Sequence, residues 1–250
     1  SMQALQNIDD LIDATDVVMV ARGDLGVEVP IEQLANWQLE IITKSRLANK
    51  PVITATQMLD SMTYNPRPTR AEATDVANAV YDGTDAVMLS GETTTGKYPI
   101  KTVHEMAAIV RFNEKKREVS SVQPAFPSTT ETIIEAGMRI MDEKLPPAID
   151  AVVVFTETGS SAKSLSSYRS NVKIIAVTDR KETYQRLCLS YGIMPVFMSF
   201  PNGTFDRSSE VPFKHLVAEG VLSKGETVLV IHGTHWKKAG LTNGLYIRTL

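Results

Sequence analysis

The chain has 250 residues, 43% of them hydrophobic and 22% charged, with a formal net charge of −3. Those proportions are typical of a folded globular protein, long enough for one large domain or two ordinary ones, and they leave no basic footprint for nucleic acid. No apolar run approaches the roughly 20 residues of a membrane span, and a single cysteine excludes an internal disulfide.

That cysteine, Cys188, lies in the apolar stretch Leu187-Cys188-Leu189 and is expected to be buried. Sparing cysteine use suits a reducing compartment. The first fifteen residues mix Asp9, Asp10 and Asp13 with apolar ones and do not resemble a secretory signal, so a cytoplasmic protein is expected.

In chain order, Leu5, Ile8, Leu11 and Ile12 share one face of a short helix ending near Ala14. Residues 16–22 form a nearly continuous apolar run, as in a parallel strand covered on both faces. Pro30 then opens a helix whose inward stripe is Leu34, Trp37, Ile41, Ile42, Ser45 and Ala48. Residues 51–56 are a second buried strand. Thr69-Arg70-Ala71-Glu72 fits a capping box, and the helix it starts stops at Gly83. A third strand covers 86–90, and Pro99 opens a helix running through Met106, Ile109 and Val110.

Three strand–helix alternations imply a parallel sheet with right-handed crossovers. Polar residues follow each strand: Arg22 and Asp24, Thr56 and Gln57, Ser90 and Glu92. That is the ligand end of a (β/α)8 barrel and equally of an open doubly wound sheet. Three strands cannot close a barrel, so this half is expected to be incomplete. Residues 119–128 lack periodicity and form a linker between a first domain, 1–118, and a second, 129–250. The second domain alternates as well. A helix covers 131–144 with Ile133, Ile134, Met138 and Met141 inward, strands fall at 151–155, 173–177, 195–198, 227–231 and 245–248, and helices at 161–168, 182–191 and 209–222.

The residues with chemical potential are individually ambiguous. Arg22-Gly23-Asp24-Leu25-Gly26 places an acid between two glycines after a strand. It suits close backbone approach to an anion and a hard oxygen for Mg²⁺, or simply an Asp-capped turn. Thr56 offers a hydroxyl that both donates and accepts, or an N-cap. Ser90 and Glu92 end the third strand with a hydroxyl and a carboxylate. Thr156 to Ser161 supplies hydroxyls and Gly159 at a helix start, which makes either an anion pocket or an ordinary cap.

Together, VARGDLGVE, ATQML, PRPTRAE, DVANAV, DG-D, VMLSGET and G-YP, spread in that order from Val20 to Pro99, resemble the pyruvate kinase family. The resemblance is dense to about residue 117 and holds in outline beyond. It implies the last three strands of a (β/α)8 TIM barrel followed by the family's C-terminal α/β domain with a mostly parallel sheet. It also implies phosphoryl transfer between phosphoenolpyruvate and ADP, giving pyruvate and ATP, with Mg²⁺ and K⁺. On this resemblance Asp24 is a Mg²⁺ ligand. The amides of Gly23 and Asp24, with Thr56, hold the substrate carboxylate. Thr56, Ser90 and Glu92 are the catalytic candidates, and Arg22 is a structural ion-pair residue beside them. Glu28 and Arg70 fit barrel or interface roles. Thr94, where the family commonly has alanine, is a small departure.

The family's Lys-Ile-Glu run, which carries the lysine facing the transferred phosphoryl group and a second Mg²⁺ ligand, does not occur in these residues, and the K⁺ ligands are expected outside them too. The chain alone is therefore expected to be inactive. In the second domain the resemblance implies an allosteric site for a phosphorylated effector, built from Thr156, Thr158, Gly159, Ser160 and Ser161 with Trp236, Lys237 and Lys238. Glu157 weighs against a doubly phosphorylated sugar. A homotetramer is implied for the intact enzyme. The alternative is a module that retains the fold and binds an effector or partner without catalysing.

Overall fold

A computed structural model describes residues 2–117, 128–142, 147–199, 204–206, 209–235, 240 and 242–250. The chain divides into two compact units, residues 1–120 and 121–250. The expected linker, 119–128, lies almost wholly outside the described residues.

In the first unit, α1 (Met2–Gln6) and α2 (Ile8–Ala14) precede strand β1 (Val18–Ala21). Leu5, Ile8 and Ile12 are buried, whereas Leu11, expected inward, is exposed; the inward stripe of so short a helix is narrow and Leu11 falls at its rim. Helix α3 (Arg22–Glu28) begins at the residue after β1, and a 3-10 turn then leads into α4 (Leu34–Leu47). Strands β2 (Val52–Ala55) and β3 (Ala86–Met88) complete a three-stranded parallel sheet in the order β1-β2-β3, in register Val20↔Thr54↔Val87.

Helix α5 (Arg70–Asp82) connects β2 to β3, and the single turn α6 (Gly91–Thr94) and α7 (Pro99–Glu114) follow β3. The capping box is formed in full: the Thr69 hydroxyl accepts from the Glu72 amide, and the Glu72 carboxylate accepts from the Thr69 amide. Helix α5 ends on Gly83 at φ +88°.

Among the described residues no closed barrel is present, and the strands are less enclosed than a run of apolar residues implies. Val52 and Ala55 of the central strand are fully buried, but Met19 of β1 is 51% exposed and no residue of β3 is fully buried. β1 and β3 are the two edges of this sheet, so each is covered on fewer sides than β2.

The second unit opens with α8 (Thr129–Asp142) and continues through β4 (Ala151–Phe155), α9 (Ser160–Ser167), β5 (Lys173–Thr178), α10 (Lys181–Leu187), β6 (Ile193–Phe197), α11 (Val211–Ala218), β7 (Thr227–Gly233) and β8 (Thr242–Thr249). Its sheet has the order β6-β5-β4-β7-β8, parallel except for the last strand. Alternation divides the central strands between two cores. Val152, Val154, Ile174, Ala176, Leu229 and Ile231 pack with Ile134, Met138 and Leu165, while Val153, Ile175, Val177, Val228 and Val230 pack with Phe213 and Leu216. Burial on both faces explains why these strands are continuous apolar runs. Cys188, expected to be buried, is exposed: Thr183 and Leu187 form the inward stripe of α10, and the next residue turns about 100° away from it.

The chain places β5 and β6 to one side of β4 and then returns to place β7 on its other side. A crevice between oppositely directed connections at the C-terminal ends of parallel strands is the usual ligand position in such sheets. In this unit the strand order changes direction between β4 and β7.

Candidate active site

The three strands of the first unit end in loops that hold one another. Helix α3 starts on the Arg-Gly-Asp motif itself, so Arg22, Gly23 and Asp24 carry first-turn amides that no intrahelical carbonyl reaches. Gly23 N–H donates to Thr56 Oγ1 at 2.8 Å. This amide, expected to face a substrate carboxylate, is thus partnered by the very threonine expected beside it.

Thr56 and Gln57 both sit in the left-handed region, at φ 69° and 52°, a conformation that side-chain-bearing residues seldom adopt. Arg22 is buried against this turn. Its Nε donates to the Ala55 carbonyl at 3.3 Å and its Nη2 to the Thr56 carbonyl at 2.7 Å, and Nη1 meets both carboxylate oxygens of Asp75 at 2.7 and 2.6 Å. Asp75, on α5, escaped notice in the sequence; only its place in the DVANAV segment marked it.

Glu92 is 2% exposed and its carboxylate is taken up by backbone. Oε1 accepts from the Leu59 amide at 3.2 Å and Oε2 from the Ser90 amide at 2.7 Å, which ties the loop after β2 to the loop after β3. The Ser90 carbonyl caps the first turn of α6 by accepting from Thr93 and Thr94. Glu72 reaches beyond its capping box to Ser61, accepting from both its amide and its hydroxyl at 2.7 and 2.6 Å. Burial alone would raise its pKa, but the hydrogen bonds from Ser61 and Thr69 outweigh it and hold the carboxyl below its ordinary value.

Asp24 is exposed on the first turn of α3 and lines a depression of about 230 Å³ together with Met19, Leu25, Glu28 and Ile41. Among the described residues no group of three His, Cys, Asp or Glu side chains is arranged to hold a metal ion. Asp24 offers one hard oxygen ligand. This donor set fits Mg²⁺, which commonly takes one or two carboxylates and completes its shell with water and phosphate oxygens. Glu28 and Arg70 are exposed on α3 and α5.

In the second unit the loop after β4 folds on itself. Thr156 Oγ1 accepts from the Gly159 amide at 3.0 Å, and Gly159 at φ +84° turns the chain into α9. Ser160 and Thr158 are exposed, but Ser161 is buried and its hydroxyl pairs with that of Thr242 at 2.6 Å. Glu157 pairs with Arg180 at 2.5 Å, and its carbonyl accepts from the Thr183 hydroxyl at 2.7 Å. Trp236, Lys237 and Lys238 lie outside the described residues.

Comparison with known proteins gives concordant results. The family model "Pyruvate kinase, barrel domain" matches residues 1–103, and "Pyruvate kinase, alpha/beta domain" matches residues 131–248. The pyruvate kinase of Clostridium acetobutylicum is 39% identical over 254 residues, covering 100% of this chain and 53% of its own length. That of Leishmania mexicana is 42% identical over 260 residues, covering 96% of this chain and 50% of its own length. That of Geobacillus stearothermophilus is 40% identical over 252 residues, covering 99% and 42%. The chain spans about half the length of the curated relatives it matches.

Proposed function

Because the chain belongs to the pyruvate kinase family, we propose that its first unit supplies part of a site for phosphoryl transfer between phosphoenolpyruvate and ADP. The observation that carries this reading is the hydrogen bond between the α3 first turn and the left-handed Thr56 turn, with Asp24 exposed on that same first turn of α3.

Each residue then has a chemical task. The first-turn amides of α3 other than that of Gly23, which Thr56 already takes, favour an anion such as a substrate carboxylate. Thr56 Oγ1 already accepts from Gly23, so its own proton is the one left to give to the substrate. Asp24 would hold Mg²⁺, which when bound neutralises charge on phosphate oxygens. Transfer breaks the bond between the phosphorus and the enol oxygen and forms one to the ADP terminal oxygen. The enolate carbon left behind takes up a proton, and a hydroxyl at Thr56 or Ser90 suits the ordering of the group that delivers it. Glu92, with both oxygens on amides, serves this site by joining its loops. K⁺ is proposed as a second cation with ligands outside these residues, and a cytoplasmic homotetramer as the working form. Among the described residues no helix is long and apolar enough to cross a membrane.

The second unit is proposed to bind a phosphorylated small molecule beyond β4 and β7, where Thr156, Thr158 and Gly159 form the loop after β4 and Ser160 and Ser161 the start of α9. The Glu157 carboxylate pairs with Arg180, which leaves little net positive charge in this loop for a second phosphate and so favours a monophosphate. Calorimetric titration with sugar monophosphates, bisphosphates and nucleotides tests this, with binding of a monophosphate expected; binding of none would end the proposal.

Catalysis is tested by a lactate-dehydrogenase-coupled assay on the 250-residue chain and on the full-length product of its gene. The full-length product is expected to form ATP and the 250 residues alone to form none, since one carboxylate and no facing lysine leave the developing charge largely unbalanced. Robust ATP formation by the chain alone would overturn this division of the site.

A further inference from the structure

We infer that Arg22 is a positioning residue, whose buried guanidinium holds the left-handed Thr56–Gln57 turn so that the Thr56 hydroxyl stays on the Gly23 amide. The role rests on the phosphoryl-transfer reading of this site, but the geometry behind it does not.

Two consecutive residues with side chains, Thr56 and Gln57, occupy positive φ, and such a turn persists only where its surroundings over-determine it. Arg22 does so from three directions. Nε and Nη2 take the carbonyls of Ala55 and Thr56, two adjacent peptide groups, and Nη2 also lies 2.8 Å from Met58 Sδ. Nη1 is fixed on Asp75, whose helix is itself anchored by the Thr69–Glu72 capping box. A planar five-donor fork can serve these acceptors at once, and a lysine ammonium cannot span them.

Arg22 is also the residue immediately before Gly23, so it fixes both partners of the Gly23–Thr56 hydrogen bond, one through the chain and one through its side chain. Its charge is balanced by Asp75, at 2.6 Å. Its contribution is therefore geometry, with little net positive charge left for a phosphate.

The test uses the full-length gene product with the variants Arg22→Lys, Asp75→Asn, Thr56→Val and Thr56→Ser. Hydrogen–deuterium exchange of the peptide containing Gly23 is followed alongside kcat and KM for phosphoenolpyruvate. Arg22→Lys is expected to speed Gly23 exchange at least about tenfold and to lower kcat/KM by a similar factor or more, with exchange in β4 and β7 unchanged. Thr56→Val should speed the same exchange, and Thr56→Ser, which keeps the hydroxyl, should restore protection. Should Arg22→Lys fail to fold, Asp75→Asn decides, with a smaller effect in the same direction. Wild-type exchange at Gly23 in folded Arg22→Lys, or in Asp75→Asn where Arg22→Lys does not fold, overturns the proposal. A full-length wild type that makes no ATP from phosphoenolpyruvate and ADP overturns the phosphoryl-transfer reading and the role built on it; the exchange experiment still decides whether Arg22 holds the turn.

Discussion

On the proposed reading Thr56 is the key hydroxyl of the first unit, because it accepts from Gly23 N–H and keeps its own proton to donate. Replacing it by valine in the full-length protein is expected to lower kcat/KM for phosphoenolpyruvate about 100-fold, while serine stays within about tenfold of wild type; steady-state kinetics check both. Glu72 gives a pH prediction. Its folded pKa is below the ordinary 4.5, so its stabilising contribution is present above that value and is lost as pH falls through the lowered one. Glu72→Gln should therefore cost about 1 kcal/mol in urea unfolding at neutral pH and progressively less as the solution is made strongly acidic. The placing of Asp24, Thr56, Ser90 and Glu92 just after β1, β2 and β3 was legible in the sequence, since each strand is recognisable. The bonding of Arg22 to Asp75 and to two carbonyls was not, because it depends on where a helix 53 residues away places one side chain.

At the scale of elements, local chemistry decided what could be foreseen. The start and stop of α5 follow from Thr69, Glu72 and Gly83 alone. Gly83 is favoured by its φ of +88°, and an added Cβ would also meet the movable end of Arg46, 2.7 Å from Nη1. Gly83→Ala is expected to cost about 1 kcal/mol or more, measured by thermal unfolding. Helix α3 was not foreseen as a helix, because Gly23 and Gly26 are poor helix formers and the segment is ordered by its ends. The exposure of Cys188 and Leu11 has a related cause. An apolar neighbourhood in sequence predicts burial only for residues on the inward stripe, and these two lie outside it. The strands with both faces covered, such as β4 and β7, were legible as uniformly apolar runs, whereas the edge strands β6 and β8 begin two or three residues before the expected positions. Leu229, fully buried between α8 and α9, illustrates the point, and Leu229→Ala should cost about 2–5 kcal/mol in chemical denaturation.

For the whole molecule, the two units differ in how fully their sheets are covered. Residues 121–250 form a five-stranded sheet with a core on each face, and this unit expressed alone is expected to unfold in one cooperative transition followed by circular dichroism. The first unit has three parallel strands and half-exposed side chains on β1, in keeping with a chain that spans about half the length of its relatives. The account turns on Asp24 serving as a Mg²⁺ ligand in a phosphoryl-transfer site. Its most direct test is the coupled assay of the full-length gene product and its Asp24→Asn variant over a range of Mg²⁺ concentrations. The predicted result is ATP formation by the wild type and a loss of about 1,000-fold or more in the variant, with the residual activity needing more Mg²⁺. Equal activity and equal Mg²⁺ dependence in the two proteins would contradict it.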